Sequence, residues 1–330
     1  MKKDITNKLE AKSYDNPCVI FSNGIGDHFL VLPTIRALSY FFKGNLTLIC
    51  EKYSFAKEIF YGIKFKKIIG IRFWEEDVGR RFDSQLLLNE INDCDLLISL
   101  NPWGEDLDIT DLLKSLKLKK SVGFYKRFEL AIPFDLKKHN IDLNFDIAKS
   151  IDSSLNIDHF TYPPIIGEDF NILRERLSKK IPDSIKLLAL HTDTKEDKMW
   201  RNEGYLEVLE KIIEKYPNIG IVIVGEESIN VENSAIRDNV LFFSETTLPF
   251  RIACAIVSIS NFFLGIDSVF LHVADFYRIP TVGLFGPTSD VEFGSKFSEN
   301  ENIQAKEGDI SKITEIEVLK ALNTIIINMS

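Results

Sequence analysis

The sequence has no CxxC pair, no HxxxH spacing, and no apolar run approaching the about 20 residues that a membrane-crossing helix needs. Its four cysteines, Cys18, Cys50, Cys94 and Cys254, stand far apart, three of them inside apolar runs. They read as buried thiols of a reducing compartment rather than as a disulfide framework. The histidines, His28, His139, His159, His191 and His272, keep no metal-ligand spacing, so no metal is expected. An excess of positive charge is also missing. The 40 Lys and Arg against 49 Asp and Glu leave a formal net charge of -9, which repels nucleic acid and disfavours it as a partner. Met1 to Asn16 are polar and lead into no apolar h-region, so no secretory signal is expected. The expected location is cytoplasmic, with peripheral contact at the inner face of a membrane left open.

What is present suits two domains. A chain of 330 residues is long for one doubly wound domain and right for two of about 150 residues each, and 45% hydrophobic residues supply two cores. Short β-rich runs alternate with amphipathic stretches, the pattern of βαβ units and parallel sheets, so the fold class is α/β. In the first half the predicted strands are Cys18 to Asn23, Leu46 to Glu51, Lys67 to Ile71, Asp95 to Leu100 and Ser121 to Tyr125, with a first crossover helix over Asp27 to Phe42. After Pro163-Pro164 a polar helix, Glu168 to Lys180, stops at Pro182. The second series then gives strands Leu187 to Thr192, Gly220 to Gly225, Val240 to Ser244, Asn261 to Ile266 and Thr281 to Gly286. Helices are predicted over Glu203 to Tyr216, Pro249 to Ser258, Ser268 to Arg278 and Ile310 to Asn328. The boundary is placed at 165/166. Two Rossmann-like halves with a cleft between the carboxyl ends of their sheets would bind ligands just after the strands.

Three segments sit there. Ser22-Asn23-Gly24-Ile25-Gly26-Asp27-His28 joins a strand to a helix; its glycines let the backbone turn tightly beside a ligand, and the helix start favours an anion. As a dinucleotide fingerprint it is incomplete, since the third glycine of GxGxxG would fall at Phe29. On these residues alone Asp27 serves equally well as a helix N-cap. The segment Leu190 to Trp200 carries Thr194 and Lys198, able to orient and neutralise a diphosphate, or simply to form a solvated loop. The third segment ends a strand in Asp267-Ser268, opens a helix with Val269, and places His272 one turn inside it, either facing a ligand or satisfied in the core. Asp106-Leu107-Asp108 is formally a DxD triplet but reads as a solvated acidic loop.

Together these segments resemble the heptosyltransferase family, glycosyltransferase family 9. The resemblance rests on Gly26-Asp27 with Pro33 downstream, on the loop ending Asp197-Lys198-Met199-Trp200, and on Asp267-Ser268 with His272, Pro280 and Phe285-Gly286-Pro287-Thr288. It implies the GT-B architecture, with an acceptor-binding domain over 1–165 and a nucleotide-sugar domain over 166–330, the last helix packing back on the first. It implies an inverting, metal-independent transfer from a nucleotide-diphosphate sugar, ADP-heptose in the best-known members, to a hydroxyl of a glycan, lipid-linked sugar, protein or small molecule, with no cofactor. Asp27 matches the general base and Lys198 the residue that compensates the leaving diphosphate. Thr194, Asp267, Ser268, Val269 and His272 fall in the donor site, while Gly24, Gly26 and His28 line the acceptor side or cleft. Two departures stand out: Val269 where the family usually has glycine, and Asp193 where a small or hydroxyl residue is usual. They keep a second reading open, a recognition protein of the same fold; a nicotinamide-dependent oxidoreductase is a more distant third.

Overall fold

The structure is a computed structural model that describes residues 9–76, 79–102, 108–225, 229, 231, 234–241 and 248–328. The chain divides into two compact units, Met1–Tyr162 and Pro163–Ser330.

Unit 1 is built on a parallel sheet. In chain order it contains β1 (Pro17–Phe21), α1 (Ile25–Phe41), β2 (Thr47–Glu51), α2 (Ala56–Ile59), β3 (Lys67–Ile71), β4 (Phe73–Glu76), β5 (Gly79–Phe82), α3 (Ser84–Glu90), β6 (Leu96–Ser99), α4 (Ile109–Ser115), β7 (Lys120–Gly123), β8 (Leu130–Ala131) and α5 (Asn140–Ile151). The strand order is β3-β2-β1-β6-β7-β8. Central β1 pairs Val19 with Leu48 on one side and with Ile98 on the other, and all five of its residues are buried. Covered on both faces, it reads as an unbroken apolar run rather than an alternating one. Helix α1 is buried continuously from His28 to Ser39 and packs on α5, as expected of a helix apolar on all sides. The sequence reading did not foresee β4 and β5, an antiparallel hairpin inserted after β3.

Unit 2 repeats the plan with α6 (Phe170–Ser178), β9 (Lys186–His191), α7 (Asn202–Lys215), β10 (Ile219–Ile223), α8 (Phe250–Ile259), β11 (Phe262–Ile266), α9 (Val269–Phe276), β12 (Thr281–Phe285), α10 (Asp290–Phe293), β13 (Asn300–Gln304) and α11 (Glu315–Asn328). All its strands are parallel, in the order β10-β9-β11-β12-β13. The edge strand β13 was not anticipated because its sequence, NENIQ, is polar; its partner β12 supplies the pairing that its own pattern does not announce. Of the strand predicted over Val240 to Ser244, Val240 forms an isolated parallel bridge to Ile221, and 242–247 lie outside the described residues. The last helix begins five residues later than expected, after two short 3-10 turns. Its apolar face, Val318, Ala321, Leu322, Ile325 and Ile326, joins Val208, Leu209 and Ile212 of α7 in the core of unit 2. Each Val, Leu or Ile side chain among them contributes about 1.5–3 kcal/mol on full burial.

Both sheets have a place where the chain's winding reverses. In unit 1 it lies between β1 and β6, in unit 2 between β9 and β11. Open α/β sheets bind ligands beyond the carboxyl ends of the strands at such a point.

Candidate functional site

In unit 1 the loop at the switch point is Ser22-Asn23-Gly24, leading from β1 into α1. Gly24, with φ -63° and ψ 172°, is the N-cap of the helix. Asp27 is therefore the third helical residue, and the reading of it as an N-cap does not hold. Its Oδ2 accepts the Gly24 N–H at 3.0 Å, so the carboxylate folds back on the turn that carries it. Gly24 is exposed, while Gly26 and Asp27 are half-buried. Buried Ser22 donates its N–H to Asn101 Oδ1, just beyond β6, at 3.3 Å. Arg80 of β5 reaches the same loop from the hairpin, with Nη1 at 2.6 Å from the Ser22 carbonyl oxygen, 2.9 Å from Ser22 Oγ and 2.8 Å from Asn23 Oδ1.

His28 lies beneath this turn rather than on its surface. It is 1% exposed, edge-on to Phe21 and stacked near Phe60 at centroid distances of 5.0 and 5.5 Å. Burial pushes its pKa down to about 4, so the ring is neutral near pH 7. Its Nδ1, 2.8 Å from the Gly24 carbonyl oxygen, must then carry the proton and donate it. Asp108 of the DxD triplet is also not a solvated loop residue. It is buried and accepts from Arg81 Nη1 at 2.8 Å and from the Phe82 N–H at 2.9 Å; Asp106 and Leu107 lie outside the described residues.

In unit 2 the loops after β9 and β11 meet. Lys198 Nζ lies 2.7 Å from Asp267 Oδ2, and Thr288, just beyond β12, donates its hydroxyl to the same oxygen at 2.8 Å. The Asp267 side chain is 8% exposed and that of Lys198 is 21% exposed, so the pair is largely withdrawn from water, Lys198 less completely than Asp267. Ser268 stands at the N-cap of α9 in an extended conformation, with no side-chain cap bond and its Oγ buried without a partner. Val269 follows, half-buried, as the first helical residue, and Thr194 is half-buried in the loop after β9. His272 is 4% exposed on the inner side of α9.

Asp193 acts on the neighbouring His191. That ring is buried edge-on to Phe270, with Nδ1 at 2.7 Å from the Val224 carbonyl oxygen. Burial lowers its pKa, and the backbone bond and the Asp193 charge partly oppose the shift. Gly225, at φ +124°, lets the chain pass this ring: a Cβ there would sit 2.9 Å from it.

The structure thus brings Lys198 and Asp267 into contact and gives Asp27 a built turn. Arg80 and Asn101 were not singled out by the sequence reading, because neither lies in a recognisable motif. Thr288 belonged to a quoted segment but had no assigned role. Among the described residues no group of three or more His, Cys, Asp or Glu side chains is placed to hold a metal ion, and no helix is long and apolar enough to cross a membrane. All four cysteines are buried and free.

Residues 107–321 match the family model described as glycosyltransferase family 9 (heptosyltransferase). The chain belongs to glycosyltransferase family 9. Membership makes sugar transfer its class of activity. The matched stretch contains Lys198, Asp267 and Thr288, whereas Asp27 precedes it. Among solved structures, this family 9 chain is similar to the glycosyl transferase family 9 from Veillonella parvula DSM 2008, at 17% identity and TM-score 0.72, covering 96% of this chain and 98% of that one. It is also similar to E. coli ADP-heptose LPS heptosyltransferase II, at 13% identity and TM-score 0.67, covering 95% and 99%. E. coli heptosyltransferase WaaC with ADP aligns at 13% identity and TM-score 0.66, covering 94% and 99%. Comparison with curated proteins returns no match. The structural likenesses identify the fold of this family 9 chain as GT-B, with two Rossmann-like domains.

Proposed function

We propose that this protein transfers a sugar from a nucleotide diphosphate to a hydroxyl acceptor by single displacement with inversion and without a metal, heptose from ADP-heptose being the first donor to test. The observation that carries the reading is the Lys198-Asp267-Thr288 cluster at the switch point of the unit 2 sheet, beside the N-terminus of α9. A partly buried ammonium next to a helix start that has no side-chain cap suits a diphosphate, whose negative charge grows as the glycosidic bond breaks. Asp267, held also by Thr288, would keep Lys198 aimed; Ser268, Val269, His272 and Thr194 would complete the donor site.

Asp27 is proposed as the base. The acceptor oxygen attacks the anomeric carbon from the face opposite the diphosphate, the carbon–oxygen bond to the diphosphate breaks with its electron pair, and the acceptor proton passes to the Asp27 carboxylate. Gly24 and Gly26 keep the backbone slim where the acceptor approaches. The acceptor is a glycan, a lipid-linked sugar, a protein or a small molecule, and a lipid-linked one would bring the protein to a membrane surface. One observation favours a second reading: Val269 places a branched side chain at the helix start that would receive the phosphates. A protein that only recognises nucleotide sugars or glycans would tolerate it.

Calorimetry with a panel of nucleotide sugars including ADP-heptose, paired with nucleotide diphosphate release in EDTA, tests the proposal. The expected result is specific binding, with turnover that falls about 10²- to 10⁴-fold in Asp27→Asn while donor affinity holds. Binding without turnover would favour the recognition reading. No binding at all would remove the transferase reading and leave glycan recognition as the one to pursue.

A further inference from the structure

We infer that Arg80 is a positioning residue for the Asp27 turn, and that the β4–β5 hairpin is the brace through which it acts. The inference rests on the reading of Asp27 as base. The hairpin leaves the parallel sheet at the carboxyl end of β3, and both of its strands are tied down. Glu51 Oε2, at the end of β2, accepts the N–H of Phe73 in β4 at 2.8 Å. Buried Asp108 takes the N–H of Phe82 and the guanidinium of Arg81 in β5. Between these anchors Arg80 extends to the loop after β1. One terminal nitrogen serves three oxygens there, the Ser22 carbonyl, Ser22 Oγ and Asn23 Oδ1, all within 2.9 Å.

Ser22 and Asn23 are 7% and 8% exposed, so Arg80 is their donor in a place where water replaces it poorly. Bonds from a charged donor are about twice as strong as neutral ones. From the other side Asn101 accepts the Ser22 N–H. The next residue is Gly24, whose N–H orients the Asp27 carboxylate. A glycine peptide rotates easily unless its neighbours are fixed, and Arg80 and Asn101 fix the residues immediately before it. Arg80 thus sets the base through two intervening residues without touching a reacting atom. A 1 Å misplacement at such a distance can cost about 10²-fold in rate.

The test compares wild type, Arg80→Ala, Arg80→Lys and Asp27→Asn by two readouts. Hydrogen exchange at the Gly24–Asp27 amides, followed without ligand, is expected to quicken at least about 10-fold in Arg80→Ala and to return most of the way in Arg80→Lys. Release of nucleotide diphosphate from ADP-heptose is expected to lose about 10- to 100-fold in kcat with KM for the donor within about twofold. Unchanged exchange in Arg80→Ala overturns the inference, as does a raised KM with unchanged kcat, which would make Arg80 a ligand contact. Full turnover in Asp27→Asn, or no turnover of ADP-heptose by wild type, sinks the function reading alone, and exchange still decides the role of Arg80. Should Arg80→Ala fail to fold, Arg80→Lys and Arg80→Gln give both readouts.

Discussion

In unit 1 the carboxylate at the switch point, Asp27, is bonded to a backbone N–H only 3 residues away. In unit 2 the corresponding carboxylate, Asp267, is bonded to side chains 69 and 21 residues away. The first bond closes within one helix start that folds back on its own turn, while Arg80 and Asn101 hold the residues just before it. The second exists only when β9, β11 and β12 are paired and their loops converge. A half-exposed carboxylate on a local turn keeps access to solvent and to an incoming hydroxyl. One buried under an ammonium and a hydroxyl is suited to holding a cation in place. The contrast matches the roles proposed for them, proton acceptor and keeper of the diphosphate-binding lysine.

The largest effect should come from breaking the second arrangement. Lys198→Ala leaves the Asp267 carboxylate buried with only the Thr288 hydroxyl, and a buried charge without its counter-ion costs about 3 kcal/mol. Urea unfolding should report a loss of that order, and donor affinity should fall together with rate. Asp27→Asn, which exchanges a charged acceptor of the Gly24 N–H for a neutral amide oxygen at a half-exposed helix start, should cost no more than about 1 kcal/mol. Equal losses in the two variants would erase the distinction between local and assembled carboxylates.

Acid should expose what the two turns share. Each unit has, at the end of a switch-point strand or in the helix after it, a buried histidine whose pKa is lowered by burial, His28 to about 4 and His191 in the same direction. Below the ordinary value of 6.5 the unfolded chain takes up a proton at His28 that the folded ring refuses until about pH 4. The unfolded state then binds more protons, so stability is full above pH 6.5 and falls as pH drops through that window, by about 3 kcal/mol from His28 alone. His28→Asn keeps a donor near Nδ1 for the Gly24 carbonyl but cannot titrate. Its stability between pH 7 and 4.5 should therefore be flatter than wild type, whatever its baseline. An unaltered slope would assign the acid sensitivity to His191 or elsewhere.

The same contrast explains what was legible in the sequence. The α/β alternation, the strands of both sheets except β8 and β13, and the Gly24–Asp27 turn are local patterns, and apolar runs bounded by turn residues announce them. The cluster in unit 2 was legible only through family resemblance, since nothing local ties Lys198 to Asp267 or gives Thr288 a part. Arg80 was invisible for the same reason and one more: its hairpin interrupts the regular βα rhythm with a strand pair whose residues are charged and aromatic. Asp108 was read as solvated because polarity alone suggests a surface, whereas the Arg81 guanidinium and the Phe82 N–H permit its burial; His28 likewise has the Gly24 carbonyl as partner for Nδ1.

The smallest change separates the partners of Asp267. Thr288→Val keeps the shape of the side chain and removes one hydroxyl donor at 2.8 Å from Oδ2, leaving the Lys198 ion pair on the same oxygen. With the charge still compensated, the expected cost is about 1 kcal/mol, and donor affinity should change by less than about tenfold. The two partners share one oxygen atom, so their effects should not add: Lys198→Ala with Thr288→Val should differ from the sum of the singles by at least about 0.5 kcal/mol. A cost for Thr288→Val as large as that of Lys198→Ala would mean that the hydroxyl, rather than the ammonium, holds the carboxylate. Lys198 would then be free to leave Asp267 when a diphosphate arrives.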